Sequence, residues 1–280
     1  MRLPTSMTEP RQEYGAFTMV SSAANARELP VLVFTPSDYD SGVARYPVLY
    51  LLHGVNDSPL TEQGMRSMNA PESTIQQLVD FHGLIIVMPM VGNTFYLDSP
   101  KQPSVRMATY VGEELPRWVD GQYRTIAERQ QRFLAGFSMG GYGAVSLLCR
   151  YPETFSVALS RAGVMELAMG IVDHAWDDAA LTVDLLGSYW QEPEAYHRNS
   201  CPNLLNRLAD RKEEVGIVLE VGREDILLPC NQRFRDHLHR LGIPHIYAEY
   251  PGGHSWSAHC LFSLLAHLDF FRSIENQELP

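Results

Sequence analysis

The segment Gly136-Phe137-Ser138-Met139-Gly140 constrains this chain more than any other. A serine with glycine two residues before it and two residues after it is typical of a nucleophile elbow, a sharp turn from a strand into a helix that exposes the serine hydroxyl. The flanking positions need glycine because the turn leaves no room for side chains there. The context agrees, since residues 132–135 are typical of a buried strand and residues 139–150 of a helix that ends at Tyr151-Pro152. The sequence therefore predicts a strand, a reactive serine and a helix, in that order.

Length and charge limit the classes of protein to which the chain can belong. With 280 residues it can bury one large core, and we expect a single domain over residues 1–280. It carries 22 Lys and Arg against 33 Asp and Glu, a formal net charge of -11, which disfavours nucleic acid or an anionic membrane surface as its main partner. No apolar run approaches the roughly 20 residues of a membrane span, and the N-terminus lacks the apolar core of a signal peptide. These features predict a soluble cytoplasmic protein.

The four cysteines, Cys149, Cys201, Cys230 and Cys260, are widely spaced. They contain no C-x-x-C pair, which argues against a zinc ribbon or a redox motif. Two disulfides would need an exported protein, so we expect free thiols and no metal site built from them.

Runs typical of strands alternate with helical patterns, and this alternation predicts a mostly parallel sheet with helices on both faces. The predicted strands are Tyr14–Val20, Leu29–Thr35, Val48–His53, Leu84–Met88, Arg132–Phe137, Val157–Ala162, Gly216–Val221 and Ile243–Tyr250. The third and fourth are continuously apolar, as expected of central strands that are buried on both faces. The first two alternate more, and we expect them to form an antiparallel pair at one edge.

The segments between these strands predict helices of differing strength. Helical spacing over residues 105–118 predicts one helix, although we expect Pro116 to bend or end it. Leu228–Leu241 and Trp256–Phe271 predict two more. Residues 164–214 have weaker periodicity, and we expect either a small cap over the functional site or an ordinary surface excursion.

A serine hydroxyl is a poor nucleophile at neutral pH, so the elbow calls for a histidine base and a carboxylate that orients it. Folds with such an elbow place these residues in the chain order serine, acid, histidine. Glu224 and Asp225 follow the seventh predicted strand, and His254 lies in a Gly-Gly turn after the eighth. We therefore predict His254 as the base, with His259 as the alternative. Either Glu224 or Asp225 would be the acid, and Glu220, inside the strand, is a distant third candidate.

The oxyanion of a tetrahedral intermediate needs two backbone N–H donors. One should come from Met139, the residue after the nucleophile, and the other from the loop that follows the third strand. In that loop we choose Val55 by position. His53 lies there as well, but it precedes Ser138 in the chain, so we expect it to orient the loop rather than to act as a base.

Several motifs, taken together, resemble the esterase D branch of the α/β hydrolases. They are Tyr46-Pro47-Val48-Leu49-Tyr50-Leu51-Leu52-His53-Gly54, residues 136–143, Gly222-Arg223-Glu224-Asp225 and Asn231-Gln232-Arg233-Phe234. The resemblance spans residues 14–272, and within the branch the chain looks most like the tributyrin and acetyl esterases, which cleave short-chain acyl esters. It implies an α/β-hydrolase fold, Asp225 as the acid, a small acyl ester as substrate and no cofactor or metal.

The resemblance also bears on specificity. Residues 93–98 resemble the loop that borders the acyl site in these esterases, so Phe95 and Tyr96 are expected to contact the substrate. Trp256, just after His254, is a third expected contact, and these bulky residues favour short acyl chains. S-formylglutathione hydrolases are similar but usually carry histidine before the serine, where this chain has Phe137. The loop at residues 56–60 lacks the aromatic residue that is common after His-Gly in relatives.

The sequence therefore predicts a serine carboxylesterase that works through an acyl-enzyme. The enzymatic alternatives are S-formylglutathione hydrolase or thioesterase activity, and acyl transfer to an acceptor other than water. A non-catalytic binding module on the same fold is the alternative of another class. A homo-oligomer is compatible with the sequence, which does not identify the alcohol portion of the substrate.

Overall fold

The computed structural model describes residues 15–55, 72–169 and 179–275. Within these ranges eight strands form one open sheet, in the spatial order β1-β2-β4-β3-β5-β6-β7-β8. The strands are β1 Ala16–Ser22, β2 Arg27–Phe34, β3 Val48–Leu52, β4 Ile85–Pro89, β5 Arg132–Phe137, β6 Val157–Arg161, β7 Gly216–Gly222 and β8 His245–Tyr250. From β4 to β8 all pairs are parallel. The predicted mostly parallel sheet is confirmed.

The predicted strands match the observed ones to within about two residues at each end, with Tyr14 outside the described residues. β1 and β2 form the expected antiparallel edge pair, in register from Ala16 opposite Val33 to Ser22 opposite Arg27. β2 is also antiparallel to β4. The continuously apolar β3 and β4 are buried along their whole length, as strands covered on both faces must be.

Helices cover both faces of the sheet. The described helices of seven or more residues are α1 Glu72–His82, α2 Leu115–Gln122, α3 Met139–Arg150, α4 Ala179–Leu186, α5 Pro193–Asn199, α6 Leu228–Leu241 and α7 Ala258–Glu275. Helices α2 to α6 share one hydrophobic cluster with Tyr50 of β3, whereas α1 and α7 share the opposite cluster with the neighbouring Leu49. Adjacent strand residues thus serve opposite layers, which is the two-sided cover that the sequence predicts.

Pro116, which we expected to bend or end its helix, does not end it. The helical run begins at Met107–Thr109, widens into a π-helical turn at Tyr110–Glu114 and continues as α2 to Gln122. Proline removes one N–H and crowds the carbonyl four residues earlier. That carbonyl belongs to Gly112, within the π turn, where the wider backbone accommodates the ring. Pro116 therefore lies in the first turn of α2.

The segment between β6 and β7 packs along α3. Of this segment, residues 170–178 lie outside the described ranges. Leu186 and Tyr196 are fully buried in the same cluster as α3, and the Tyr142 hydroxyl of α3 donates a hydrogen bond to the Asn199 carbonyl at 2.7 Å. The described part of the segment therefore belongs to the same core as the helix that follows Ser138.

The four cysteines are buried free thiols, as predicted. Burial raises the pKa of Cys149 and of Cys230 to about 12, so both stay protonated at neutral pH.

Candidate active site

Ser138 lies at the turn between β5 and α3 and has a backbone conformation that L-residues rarely adopt, with φ 56° and ψ -116°. The turn is closed by contacts that leave no room for a Cβ atom. A Cβ on Gly136 would overlap the backbone of Gly140, and a Cβ on Gly140 would overlap the carbonyl oxygen of Leu52. The elbow thus has the predicted order of strand, serine and helix, and its two glycines are required by close backbone approach.

Neighbouring backbone groups hold Ser138 in this strained conformation. Its N–H donates to the carbonyl of Arg161, at the end of β6, over 3.0 Å. Its own carbonyl accepts the N–H of Tyr142 at 3.0 Å, which starts α3. A residue in a sparsely populated region persists only when its surroundings determine it in this way, and such residues cluster at functional sites.

The imidazole of His254 lies between Ser138 and Asp225. Its Nε2 atom is 3.0 Å from the Ser138 Oγ atom. Its Nδ1 atom is 3.0 Å from Oδ2 and 3.1 Å from Oδ1 of Asp225. When the Nδ1–H group donates to the carboxylate, Nε2 is left with a lone pair directed at the serine hydroxyl, which is the arrangement a general base needs.

Asp225 and Glu224 are adjacent in sequence but have different partners. The Asp225 side chain is almost completely buried, and its Oδ1 atom also accepts the N–H of Leu227 at 2.8 Å. The exposed Glu224 carboxylate accepts the N–H of Gly252 instead, in the loop that carries His254. The structure therefore brings Asp225 to the imidazole and leaves Glu224 on the loop backbone.

The other two candidates lie elsewhere. Glu220 is fully buried in β7, where its carboxylate accepts the Ser263 hydroxyl at 2.6 Å and pairs with Arg161 at 3.4 Å. His259 lines a separate cavity with Arg161 and Tyr250. Neither side chain is among the groups that contact Ser138 or His254 in the described residues.

Two hydrogen bonds of His53 connect the loop after β3 with the segment after β4. The Nε2 atom of this buried imidazole accepts the N–H of Val91 at 3.2 Å, so the proton sits on Nδ1, which donates to the Gly54 carbonyl at 2.7 Å. Burial lowers the pKa of His53 to about 4, which keeps the ring neutral. The ring is thus engaged with the loop backbone, consistent with an orienting role.

The two expected oxyanion donors flank Ser138. Val55, two residues after His53, lines the cavity beside the serine. Met139 is the first residue of α3, and an N–H in that position has no acceptor within its own helix. The helix N-terminus also carries a partial positive charge, so it favours a developing negative charge at this point.

A cavity of about 230 Å³ opens beside Ser138 and His254. The other side chains that line it are apolar: Val55, Phe95, Phe137, Val164, Ile226 and Leu227. An ester whose acyl or alcohol group is apolar would therefore bury that group next to the reactive hydroxyl.

Of the three predicted substrate contacts, only Phe95 lines this cavity. Tyr96 is fully buried, and its hydroxyl donates to the His53 carbonyl at 3.0 Å. Trp256 packs against Phe137, with ring centroids 5.7 Å apart. The loop at residues 56–60 lies outside the described residues.

Sequence reasoning missed four lining residues, Phe137, Val164, Ile226 and Leu227. Three of them had a signal: Phe137 lies inside the elbow motif, and Ile226 and Leu227 directly follow the acid and are apolar in an otherwise charged loop. Val164 had none, because it follows β6 in a stretch without clear periodicity.

In residues 15–55, 72–169 and 179–275, no three His, Cys, Asp or Glu side chains form a group that could hold a metal ion. None of the helices in these ranges is both long enough and apolar enough to cross a membrane.

Comparison with known proteins gives one family and several relatives. The family described as "Putative esterase" matches residues 22–268. Esterase Rv1288 of Mycobacterium tuberculosis is 32% identical over 247 residues, which cover 80% of this chain and 52% of that protein. The acetyl esterase of Caldicellulosiruptor saccharolyticus is 27% identical over 223 residues, 74% of this chain and 77% of that protein. The chain therefore spans about half the length of the first of these relatives.

A solved structure of a ferulic acid esterase superposes with a TM-score of 0.70 at 25% identity, over 92% of this chain and 97% of that one. The match over nearly the whole of both chains confirms the α/β-hydrolase fold that the motifs imply.

Proposed function

This chain belongs to the esterase family that its residues 22–268 match, and on that premise we propose that it is a serine carboxylesterase. Ser138 is the nucleophile, His254 the general base and Asp225 the residue that orients the base. The observation that carries the proposal is the continuous hydrogen-bonded line from Asp225 through His254 to Ser138, with 3.0 Å at each step.

The proposed reaction proceeds in two halves. The Ser138 oxygen attacks the ester carbonyl while Nε2 of His254 takes the hydroxyl proton, and the imidazolium then gives that proton to the leaving alkoxide. Water, deprotonated by the same nitrogen, attacks the acyl-enzyme, and the imidazolium then gives that proton to the Ser138 oxygen as the ester bond breaks, which releases the acid and free serine. The backbone N–H groups of Met139 and Val55 hold the oxyanion in both halves.

The buried carboxylate of Asp225 supports this cycle in two ways. It accepts the Nδ1 proton, which fixes the tautomer in which Nε2 is basic, and its negative charge stabilises the imidazolium. Its anchoring to the N–H of Leu227 prevents it from turning away from the imidazole. Because the Asp225 side chain is already fixed, it loses little conformational entropy when the imidazole becomes protonated.

We propose that the substrate is a small ester with a short apolar acyl group. The apolar cavity beside Ser138 and the relative named acetyl esterase support this class. Of the bulky residues expected to shorten the acyl site, Phe95 supplies the wall, together with Phe137. A chain too long for this space would clash and displace the carbonyl from Ser138, which costs turnover as well as binding.

We also propose that the whole chain forms one domain. The single sheet and the core that α3 shares with the segment between β6 and β7 support this organisation. Val164, at the start of that segment, lines the cavity, so the segment contributes to the site rather than forming a separate unit.

A series of p-nitrophenyl esters with two to twelve acyl carbons tests the proposal, with the Ser138→Ala variant as the blank. We expect kcat/KM to be highest from acetyl to butyryl and to fall by octanoyl. A steady rise to twelve carbons would contradict the short acyl site, and no turnover of any ester would favour a binding module. Hydrolysis of S-formylglutathione, followed by the thiol that it releases, tests the thioesterase alternative, which predicts a higher kcat/KM for this thioester than for any ester of the series.

A further inference from the structure

Two aromatic rings are stacked behind the imidazole of the proposed base. The ring of Phe137, the residue immediately before Ser138, lies against the face of the His254 imidazole, with centroids 4.6 Å apart and planes inclined by 32°. Trp256 lies next to Phe137, with centroids 5.7 Å apart and planes inclined by 31°. The order of the stack is therefore Trp256, Phe137, His254.

The position of this stack matters because the loop that carries His254 is largely exposed. The hydrogen bonds to Asp225 and Ser138 hold the two nitrogens at opposite edges of the imidazole. These bonds define an axis, and they do not by themselves prevent the ring from tilting about it. Contact with the flat face of a neighbouring ring does prevent this, and Phe137 is that neighbour.

The contact also has an electrostatic consequence. The face of an aromatic ring carries partial negative charge and attracts a cation within about 6 Å of its centroid. The imidazole becomes such a cation only after it has taken the serine proton. An aliphatic side chain of similar size would fill the space without this attraction.

We propose that Phe137 is a positioning residue for the proton transfers of His254. The ring face of Phe137 orients the imidazole and stabilises its imidazolium form. The inference rests on the esterase function proposed above. It assigns a role to the position at which this chain differs from the S-formylglutathione hydrolases, which usually carry histidine there.

The role can be separated from simple lining of the cavity, which Phe137 also does. A lining residue affects substrate binding and therefore KM. A ring that attracts the imidazolium acts on the proton transfer instead, and its effect is read from the acid limb of the pH profile of kcat/KM, which reports the free enzyme. Loss of the ring should move that limb to lower pH.

The experiment compares pH profiles of kcat/KM for p-nitrophenyl acetate in the wild type and three variants. Phe137→Leu removes the aromatic face and should lower the midpoint of the acid limb by about 0.5 pH units, with a kcat loss of about 10-fold. Phe137→Tyr keeps the face and should keep the wild-type midpoint. Phe133→Leu is the matched control, because it removes a fully buried ring from the same strand without a ring contact to His254. It should lower the melting temperature and leave the midpoint in place.

A Phe137→Leu profile that is lower in height but has the wild-type midpoint would reduce Phe137 to a lining residue and overturn the inference. The same conclusion would follow if Phe133→Leu moved the midpoint equally. If Phe137→Leu does not fold, the Trp256→Leu variant tests the inference instead. It removes the ring that packs against Phe137, so it should shift the midpoint of the acid limb in the same direction by a smaller amount. Failure of the wild type to hydrolyse the ester would instead overturn the proposed function, and this inference with it.

Discussion

The elbow that carries Ser138 and the loop that carries His254 meet across one 3.0 Å contact. The two regions differ in the contacts that hold them in place. At the elbow, residues 139–149 are all buried, and the turn is held by backbone contacts with β3 and β6. In the loop, most of residues 251–257 are exposed. Its backbone is tied at Gly252, whose carbonyl accepts the N–H of Glu224 at 3.1 Å. Three side chains add contacts that the elbow lacks: Asp225 on the imidazole, Glu224 on the Gly252 N–H and Phe137 on the ring face.

This difference implies that the two regions respond differently to substitution. Because the backbone contacts at the elbow leave no space for further atoms, atoms added there lower the free energy of unfolding. Side-chain contacts in an exposed loop can be removed without unfolding the core, so changes there cost turnover instead. Substitutions made separately in the two regions test this division.

Ser138→Ala should lower kcat by about 10⁴ to 10⁶-fold, because no other hydroxyl occupies the turn. The change removes one oxygen from a half-buried side chain, so the circular dichroism spectrum and melting temperature should stay close to those of the wild type. Wild-type turnover by a natively folded variant would remove Ser138 from the mechanism.

Asp225→Asn should lower kcat by about 10⁴-fold while the protein remains folded, because an amide presents the wrong partner to Nδ1 of the imidazole. Steady-state kinetics on p-nitrophenyl acetate measure the loss. The variant tests whether the loop half of the site depends on a side-chain charge.

Glu224→Gln is the control for that substitution, one residue away and of the same chemistry. Its side-chain oxygen can still accept the Gly252 N–H, so we expect turnover within about 2-fold of the wild type. The opposite ranking of the two variants would transfer the orienting role to Glu224.

Gly140→Ala and Gly253→Ala place the same methyl group in the two regions. At Gly140 it overlaps the Leu52 carbonyl, and we expect a loss of about 3 kcal/mol in the free energy of unfolding. At Gly253 the nearest atom is the Glu224 carbonyl oxygen at 3.6 Å, an ordinary contact, so the change should stay within about 0.5 kcal/mol. Urea denaturation of both variants measures this, and equal losses would contradict the division.

His53 makes the folding stability of the protein depend on pH. Its pKa is lowered from 6.5 to about 4 in the folded protein, so between these values the unfolded chain binds the additional proton. Stability therefore falls as the pH falls through this window, by about 2 kcal/mol between pH 7 and pH 5 from this group alone. Urea denaturation at the two pH values checks the size.

His53→Gln is the matched variant, because it lacks the titrating ring. It should be less stable than the wild type at pH 7, yet its stability should change less between pH 7 and pH 5. An unchanged pH dependence in the variant would show that other groups produce it.

The sequence predicts the frame of the molecule well for a physical reason. Buried strands are continuous apolar runs bounded by turns, and the elbow needs glycines that no other residue can replace, so both leave direct marks in the sequence. The order of serine, acid and histidine follows from the order of the strands that precede them. The choice of Asp225 over Glu224 came from family resemblance, and the different partners of the two carboxylates agree with it.

The walls of the cavity could not be predicted in the same way. Phe95 and Tyr96 have positive φ angles, 50° and 52°, which non-glycine residues rarely adopt. No sequence pattern predicts such angles at these positions. With this backbone Phe95 lines the cavity, whereas the Tyr96 hydroxyl bonds the His53 carbonyl. Pro116 shows a related limit, since its effect depended on a π-helical turn that periodicity does not reveal.

The central claim is that His254 and Asp225 activate Ser138 alone among the serines of the chain. A fluorophosphonate reagent followed by peptide mass spectrometry tests it directly, because the reagent phosphonylates only a serine that has been made nucleophilic. We predict one adduct per chain, on the peptide that contains Ser138, and no adduct in the Ser138→Ala variant. An unmodified wild type, or an adduct on any other residue, would contradict the account.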